Sequence, residues 1–506
     1  MVPPDSQHDL LACLRRHAGR APEAVAIEGS AESLGYATLI AEIDALAARL
    51  GAQGPRVVGL LAENGPDWAL ADLACLAAGL PLVPLPTFFS REQLAHVVAQ
   101  AGIDCLLTDR PGALAGIATV TDSGPFRGAL HLLHLRSAPV ALPRGTAKVT
   151  FTSGTTGAPK GVCLSREAMT TVASSLASAS GAHSGDRHLA VLPLSTLLEN
   201  IGGLYVPLMA GARTRLLPGE AVGLLGSSSV DPVRMLSALA EAQSSSAILV
   251  PQLLQALVAA LSGGCERPAG LRFVAVGGAP VPARVIDRAH ALGLPVFEGY
   301  GLSECGSVVT LNRPGDAQSG TAGRPLDHVQ LRIDGDGAVQ VRGAGFLGYL
   351  GEPGEHATWL DTGDLGQLDA NGRLCLLGRR KHLFITAFGR NVSPEWIEGE
   401  LLTQPAIAQA AVFGEGRPWN VAVIVPCGNA DDQAIDAAIR ATNEALPDYA
   451  RIGRWLRADA PFSPANDQLT GNGRPRRGVI AAAHARAIED IYCHDERTHH
   501  GLLRRA

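Results

Sequence analysis

The residue types that could do chemistry are concentrated in residues 149–162, of sequence Val-Thr-Phe-Thr-Ser-Gly-Thr-Thr-Gly-Ala-Pro-Lys-Gly-Val. Apolar residues alternate up to Phe151 and predict a strand, and the small hydroxylated residues and glycines after it predict a loop. Because nothing bulky blocks approach, such a loop can offer backbone N–H groups, hydroxyls and one ammonium to a polyphosphate. The candidate phosphate-binding residues are Thr152, Ser153, Gly154, Thr155, Thr156, Gly157 and Lys160.

This loop differs from a Walker loop. A Walker loop has glycine directly before its lysine and serine or threonine directly after it. Lys160 instead stands between Pro159 and Gly161. A flexible surface turn is the alternative interpretation of this stretch alone, so the choice depends on further motifs.

A second group of candidates lies in residues 298–304, Glu-Gly-Tyr-Gly-Leu-Ser-Glu, which follow a predicted buried strand. The flat ring of Tyr300 offers area to a purine. A carboxylate such as Glu304, together with phosphate oxygens, is a usual way of binding Mg²⁺. Taken alone, the heptapeptide also fits a tyrosine of the core and a glutamate of the surface.

A third motif is Trp-Leu-Asp-Thr-Gly-Asp at residues 359–364, followed by Gly378 and Arg379. The carboxylate of Asp364 can accept hydrogen bonds from two vicinal hydroxyls at once. An ordinary β-turn aspartate is the alternative here. A tight turn of sequence Gly-Gly-Ala-Pro occupies residues 277–280.

The elements that must position these residues alternate between strand and helix in the first half of the chain. Buried strands are predicted at residues 56–63, 80–85 and 104–109, with helices at residues 66–78 and 91–101. The same alternation returns at residues 272–298. Such repeats predict an α/β fold with parallel sheets that helices cover on both faces.

From about residue 321, short strands separated by Gly, Asp and Asn turns predict a β-rich subdomain. A basic junction at residues 379–382 precedes a smaller α+β segment, in which Ser393 and Pro394 should cap and begin a helix. We therefore expect a large N-terminal domain, residues 1–380, of two βα-layered subdomains plus the β-rich one. A small C-terminal domain, residues 381–506, should follow it.

Length and composition exclude several classes of protein. A chain of 506 residues exceeds one ordinary core, so two or more domains are expected. The net charge of −6 gives no reason to expect a nucleic-acid partner. Nine scattered cysteines without C-x-x-C spacing indicate reduced thiols and a cytoplasmic location. Neither a signal peptide nor a transmembrane segment is predicted.

In their order along the chain, these motifs resemble those of the adenylate-forming superfamily, which comprises acyl-CoA synthetases, peptide-synthetase adenylation domains and beetle luciferases. The resemblance extends from residue 35 to about residue 473. Residues 385–398 and 406–426 are most similar to bacterial long-chain acyl-CoA synthetases. Such enzymes use ATP to convert a carboxylic acid to an acyl-AMP with release of pyrophosphate, and most then pass the acyl group to a thiol.

The resemblance implies a role for each candidate residue. It implies nucleotide contacts for Gly278, Ala279, Pro280, Tyr300, Gly301, Ser303, Asp364 and Arg379. In this scheme Tyr300 stacks on the adenine, Ser303 contacts the α-phosphate, and Asp364 and Arg379 reach the ribose. It implies catalytic roles for Thr155, Lys160, Glu304 and Arg474, with Mg²⁺ held by Glu304.

The chain departs from the family pattern at three positions. Arg474 stands where a lysine usually bridges the substrate carboxylate, the ribose and the α-phosphate. Arginine keeps the charge but not the compact shape, so we expect adenylation to be retained, although it could be slow. Thr196 replaces the usual aromatic or histidine gate between acyl pocket and thiol tunnel. Lys381 takes the place of the common hinge aspartate about which the small domain rotates.

The acyl pocket is only partly predictable. A helix expected at residues 195–211 should line it, and its Gly202 and Gly203 would either leave room for an acyl chain or permit close helix packing. An amino-acid substrate is disfavoured, because no Asp or Lys stands at a recognisable amino-acid-binding position. A fatty or other hydrophobic acid is preferred.

The leading hypothesis is ATP- and Mg²⁺-dependent formation of an acyl-AMP, followed by transfer to CoA or to the phosphopantetheine of an acyl carrier protein. Two alternatives stay open. The acyl-AMP could have a non-thiol fate, such as lactone or amide formation. Alternatively, the chain could bind nucleotide without turnover because Arg474 replaces the lysine.

Overall fold

The computed structural model describes residues 9–152, 160–226, 229–343, 345–352, 358–470 and 473–492. Ser153, Gly154, Thr155, Thr156 and Gly157 of the predicted phosphate loop lie outside the described residues. The α-helices of the described part are α1 (Leu10–Arg20), α2 (Tyr36–Gln53), α3 (Pro66–Ala78), α4 (Arg91–Gln100), α5 (Arg166–Ser180), α6 (Leu197–Glu199), α7 (Val206–Met209), α8 (Pro232–Glu241), α9 (Pro251–Ser262), α10 (Ala283–Ala291), α11 (Pro394–Leu401), α12 (Asp432–Ala445) and α13 (Arg477–Ala483).

Two large mixed sheets organise the N-terminal part. The first, in spatial order and within the described ranges, contains β21 (Phe346–Tyr349), β9 (Lys160–Ser165), β8 (Thr146–Thr152), β4 (Leu82–Pro84), β3 (Val58–Leu61), β5 (Cys105–Thr108), β7 (Leu130–Leu135) and β6 (Val120–Arg127). The second contains β18 (Arg324–Pro325), β17 (Thr310–Leu311), β16 (Val296–Tyr300), β15 (Phe273–Val276), β14 (Ser246–Leu249), β10 (Arg187–Ala190), β11 (Arg213–Leu216), β1 (Val25–Glu28) and β2 (Ser33–Gly35).

Smaller sheets complete the described fold. The β-rich region has the order β19 (Gln330–Ile333), β20 (Ala338–Arg342), β22 (Leu360–Leu368) and β23 (Leu374–Arg379). The C-terminal part has β26 (Ile407–Phe413), β27 (Asn420–Pro426) and β28 (Ile452–Arg457). Two short hairpins are β12 (Leu224–Leu225) with β13 (Ser229–Val230), and β24 (Phe384–Ile385) with β25 (Asn391–Val392).

The apolar cores show that helices separate the two large sheets. One core combines residues of both sheets, such as Leu60 and Ile27, with residues of α1, α2, α3 and α5. The other face of the second sheet packs on α8, α9 and α10, and the other face of the first sheet packs on α4. The predicted α/β fold, with a large N-terminal and a small C-terminal domain, is confirmed. Among the described helices, none has the length and apolarity needed to cross a bilayer.

The expectation of parallel sheets is correct only for their centres. In the first sheet, the pairs β3–β4, β3–β5 and β4–β8 are parallel. In the second sheet, the parallel pairs are β1–β11, β11–β10, β10–β14, β14–β15 and β15–β16. Towards the edges, hairpins such as β8–β9 and β16–β17 add antiparallel strands. A short connection can join only antiparallel neighbours, so each tight loop reverses the direction of its strand.

The helix predicted at residues 195–211 is present but interrupted. Between α6 and α7, residues Asn200–Tyr205 form a π-helical segment, a feature that widens a helix and often occurs near functional sites. Ser393 occupies the predicted N-cap of α11, but its hydroxyl donates to the Glu395 carboxylate at 3.3 Å instead of capping the backbone.

A buried polar network, centred on an ion pair, joins the strand that enters the phosphate loop to α3 and to this π-helical segment. Lys148 of β8 donates to Asp72 of α3 at 2.6 Å, and their side chains are 2% and 0% exposed. Asn200 and the Tyr205 hydroxyl also contact the Lys148 ammonium. The Tyr205 hydroxyl in turn donates to Asp72 at 2.7 Å. The network therefore fixes β8 against two helical elements.

We predict that Lys148→Met lowers the free energy of unfolding by about 3–5 kcal/mol, because it leaves the Asp72 charge buried and unpaired. Urea denaturation measures this change. Arg15→Met is the matched control, because the Arg15–Asp44 pair is about half exposed and should contribute less than about 1 kcal/mol. Equal losses in the two variants would show that the Lys148 network has no special role.

Candidate functional site

The base of the predicted phosphate loop is a closed hairpin. Thr152 ends β8 and pairs with Lys160, the first residue of β9. The Thr152 hydroxyl lies 3.4 Å from the Lys160 carbonyl oxygen. Both ends of the glycine-rich stretch are therefore held side by side, where two neighbouring strands of the first sheet meet.

Lys160 belongs to a small polar group with Tyr349, Glu352 and Glu304. Its ammonium lies 3.1 Å from the Glu352 carboxylate and 4.9 Å from the centre of the Tyr349 ring. The Tyr349 hydroxyl donates to Glu304 Oε1 at 2.8 Å. One tyrosine of β21 thus contacts both the candidate phosphate-binding lysine and the candidate metal ligand.

A second group is centred on Asp364 of β22. The buried Tyr300 hydroxyl donates to Asp364 Oδ2 at 2.6 Å, and Arg379 Nε lies 2.8 Å from Oδ1. Arg379 is the cross-strand neighbour of Asp364 on β23. Burial raises the pKa of Asp364 above its usual value, although Arg379 and the hydrogen bond from Tyr300 oppose this effect.

The glycines around Tyr300 are required by close backbone approaches. A Cβ at Gly301 would lie 1.6 Å from the Ser307 carbonyl oxygen, so only glycine fits there. Gly278 has a φ of +88°, in the left-handed region that favours glycine. Ala279 and Pro280 continue this turn after β15, and Ser303 begins the 3₁₀ segment Ser303–Cys305 directly after β16. The carboxyl ends of these neighbouring parallel strands therefore place the turn beside Tyr300.

Arg474 of the C-terminal part reaches the same place. Its Nη2 donates to the Gly278 carbonyl oxygen at 2.5 Å. Although Arg474 as a whole residue is exposed, the protein atoms crowding its guanidinium and the positive charge of Arg379 lower its pKa, while the Asp364 and Glu395 carboxylates act in the opposite direction. The structure therefore brings together Gly278, Tyr300, Asp364, Arg379 and Arg474.

The candidate gate and acyl-pocket residues make contacts of ordinary packing. The Thr196 hydroxyl donates to the Pro193 carbonyl oxygen at 2.7 Å. A Cβ at Gly202 would lie 2.6 Å from Ile248 Cδ1, and one at Gly203 would lie 1.9 Å from Glu199 Oε1. These contacts favour close helix packing over room for an acyl chain.

Lys381 lies exposed in the turn that follows β23. The next residue, His382, is hydrogen-bonded to Glu395 of α11, and Arg477 lies 3.1 Å from the same carboxylate. Burial opposes ionisation of Glu395, but the hydrogen bond from His382 and the charge of Arg477 lower its pKa to about 2. Arg477 also pairs with Glu398 of α11. Sequence reasoning missed this cluster, although Glu395 and Glu398 are spaced one helical turn apart.

Glu298 is a second residue that sequence reasoning missed. It is buried in β16, and its Oε1 lies 3.4 Å from the Val281 backbone nitrogen beside the Gly278 turn. Burial raises the pKa of Glu298 to about 8, while the Val281 N–H group opposes the shift. The sequence did contain a signal for it, because a carboxyl group within an otherwise apolar strand indicates a buried titratable residue.

Comparisons with known proteins identify the family of this chain and several of its relatives. Residues 14–355 match the family of AMP-binding enzymes, and residues 382–496 match the AMP-binding enzyme C-terminal domain. The long-chain-fatty-acid–CoA ligase FadD15 of Mycobacterium bovis is 28% identical, over 88% of this chain and 89% of that protein. The indoleacetate–CoA ligase of Aromatoleum aromaticum is 30% identical, over 83% of this chain and 88% of that protein.

A solved structure shares the fold. The anthranilate CoA ligase AuaEII, in complex with anthranoyl-AMP, superposes with a TM-score of 0.79 at 19% identity. The superposition covers 94% of this chain and 97% of the other.

We predict that Glu298→Gln stabilises the protein increasingly as the pH rises. The unfolded carboxyl ionises near 4.5 and the folded one near 8, so the wild type loses stability between these values. Glutamine stays neutral, and its stabilising effect relative to the wild type should grow from near zero below pH 4.5 to roughly 4 kcal/mol at pH 8. Urea denaturation across this range measures it. The exposed Glu241→Gln serves as control, and a pH-independent difference would contradict the assignment.

Proposed function

The chain belongs to the family of AMP-binding enzymes, and from that premise we propose that it activates a hydrophobic carboxylic acid as an acyl-AMP and then transfers the acyl group to CoA. The observation that carries the first step is the meeting of Arg474 with Tyr300, Asp364 and Arg379. These residues come from three separate regions of the chain. Their convergence supports one nucleotide site that both domains build.

The residues of the site fit the parts of ATP. The Asp364 carboxylate has lone pairs beyond those used by Tyr300 and Arg379, so it can also accept from ribose hydroxyls. The turn of Gly278, Ala279 and Pro280 would border the adenine. Lys160 and the hydroxyls and N–H groups of residues 152–157 would hold the phosphates, with Ser303 at the α-phosphate.

The proposed reaction needs a cationic environment. A carboxylate oxygen of the acid attacks the α-phosphorus, a phosphorus–oxygen bond forms, and the bond to the β-phosphate breaks to release pyrophosphate. Negative charge accumulates on the oxygens around phosphorus, and fixed positive groups lower the barrier. Lys160, Arg379 and Arg474 supply such groups.

Glu304 fits a role as the protein ligand of Mg²⁺. The hydrogen bond from Tyr349 orients its carboxylate, and its partial exposure leaves access for a hydrated cation. Mg²⁺ typically uses one or two carboxylates together with phosphate oxygens and water. When bound, the ion would neutralise phosphate charge and assist departure of pyrophosphate.

The substrate class is proposed from the relatives and from the chain itself. One relative is named for long-chain fatty acids and another for indoleacetate, so hydrophobicity is the property that their acids share. A fatty acid is the preferred substrate, because residues 385–398 and 406–426 resemble bacterial long-chain acyl-CoA synthetases. A carrier-protein phosphopantetheine is the second thiol acceptor to test.

We also propose a domain boundary at residues 380–381 and a cytoplasmic location. The boundary is supported by the turn at Lys381, after which His382 contacts Glu395 of the small domain. The location is supported by the cysteines, since those of the described residues are not joined by disulfides.

We predict that the protein catalyses exchange of labelled pyrophosphate into ATP when a suitable acid is present. A panel of fatty acids of graded length, indoleacetate and anthranilate should contain at least one acid that supports it. Repeating the panel with CoA separates the acyl fates, since AMP release without any thiol would indicate a non-thiol product. No exchange with any acid would contradict the proposed function.

We predict that Arg474→Ala slows pyrophosphate exchange by roughly 10²–10³-fold, because one preorganised cation at the reacting phosphate is lost. Arg474→Lys should stay within about tenfold of the wild type, because the charge is kept and only the donor geometry changes. Exchange that is unaffected in Arg474→Ala would exclude Arg474 from the reaction. If the wild type shows no pyrophosphate exchange and Arg474→Lys restores it, the wild-type protein binds nucleotide without turnover.

A further inference from the structure

One short segment of the large domain, residues 278–284, receives several contacts from the small domain; we call it the docking segment. At its start, the Gly278 carbonyl oxygen accepts from Arg474 at 2.5 Å. In its middle, Pro282 lies against Gly399 of α11, where an added Cβ would come within 3.5 Å of the proline ring. At its end, Arg284 of α10 contacts Glu400 and Thr403.

Arg284 is suited to hold the end of α11. Its Nη2 lies 2.8 Å from the Glu400 carboxylate and also donates to the Glu400 carbonyl oxygen at 2.5 Å and to the Thr403 hydroxyl. Because α11 ends at Leu401, that carbonyl belongs to the last helical turn, where backbone acceptors lack helical partners and carry partial negative charge. The Glu400 side chain is only 13% exposed, so solvent screens this contact incompletely.

The same helix is tied to the segment that carries Arg474. Glu395 and Glu398 of α11 both pair with Arg477, which follows Arg474 by three residues. A continuous series of contacts therefore runs from Arg284 through α11 and Arg477 to the neighbourhood of Arg474. Both ends of this series lie at the docking segment, since Arg284 belongs to it and Arg474 contacts its first residue, Gly278.

We propose that Arg284 is a positioning residue that fixes the small domain on the docking segment, so that Arg474 reaches the nucleotide site. This inference rests on the proposed function. Arg284 itself contacts the small domain and acts on the reaction through Arg474. Without it, Arg474 retains its chemistry but reaches the site less often.

A double-mutant cycle tests this role in the full-length protein. Arg284→Gln should slow pyrophosphate exchange about tenfold in the wild-type background, because several hydrogen bonds to a charged group are lost. In the Arg474→Ala background the same change should cost less than about twofold, since there is no longer an Arg474 to position. Equal losses in both backgrounds would overturn the proposal.

The matched control is Arg288→Gln on the same helix. Arg288 lies one turn further along α10, and among the described contacts its guanidinium bonds only to Ser262 of the large domain. Arg288→Gln should keep the wild-type rate of pyrophosphate exchange. Arg284→Lys keeps the charge and should recover part of the activity, which guards against a folding defect in Arg284→Gln.

A second readout is independent of activity. Amide hydrogen exchange of residues 278–284 and 394–403, without substrates, should be about threefold faster in Arg284→Gln than in the wild type and unchanged in Arg288→Gln. Identical amide hydrogen exchange in the wild type, Arg284→Gln and Arg288→Gln would overturn the docking role. If the wild type activates no acid, the proposed function fails, yet this measurement still decides whether Arg284 holds the small domain.

Discussion

The carboxylate of Asp364 joins the parts of the molecule that build the site. One oxygen accepts from Tyr300 at the end of a strand of the second large sheet, and the other pairs with Arg379 of the β-rich sheet. Its negative charge also acts on Arg474 of the small domain. Because two arginines approach one buried carboxylate, their mutual repulsion is offset there, and each can still offer donors to a nucleotide.

The sequence was sufficient for the motifs and for the overall architecture, because both depend on local patterns. The alternation of strand and helix, and turns such as that at Gly278, follow from residue types over short windows. The antiparallel edges were missed because strand direction depends on which neighbours pair. Glu298, Lys148 and the Glu395–Arg477 cluster were missed for a related reason, since their partners are distant in sequence or belong to other elements.

The glycines of residues 202–203 illustrate how packing can limit an inference from residue size. Small residues on a helix indicate either a cavity or a close neighbour, and sequence does not distinguish these cases. Here Gly203 lies against the buried Glu199, which is hydrogen-bonded to His188 at 2.9 Å. Burial raises the pKa of Glu199, while His188 opposes the shift. The helix is therefore anchored on this side by a polar pair.

The contact between Lys160 and Glu352 gives the lysine an anionic partner within the protein itself. In the proposed phosphate-binding role of Lys160, a polyphosphate would compete with that carboxylate, and its several negative charges would favour it over a ligand that carries one. After pyrophosphate release in the proposed reaction, Glu352 would pair with the Lys160 ammonium again and so oppose rebinding of the leaving group. The Lys160–Glu352 ion pair is about half exposed and therefore weak. Such a partner would make phosphate binding by the lysine reversible, and turnover requires reversibility as much as affinity.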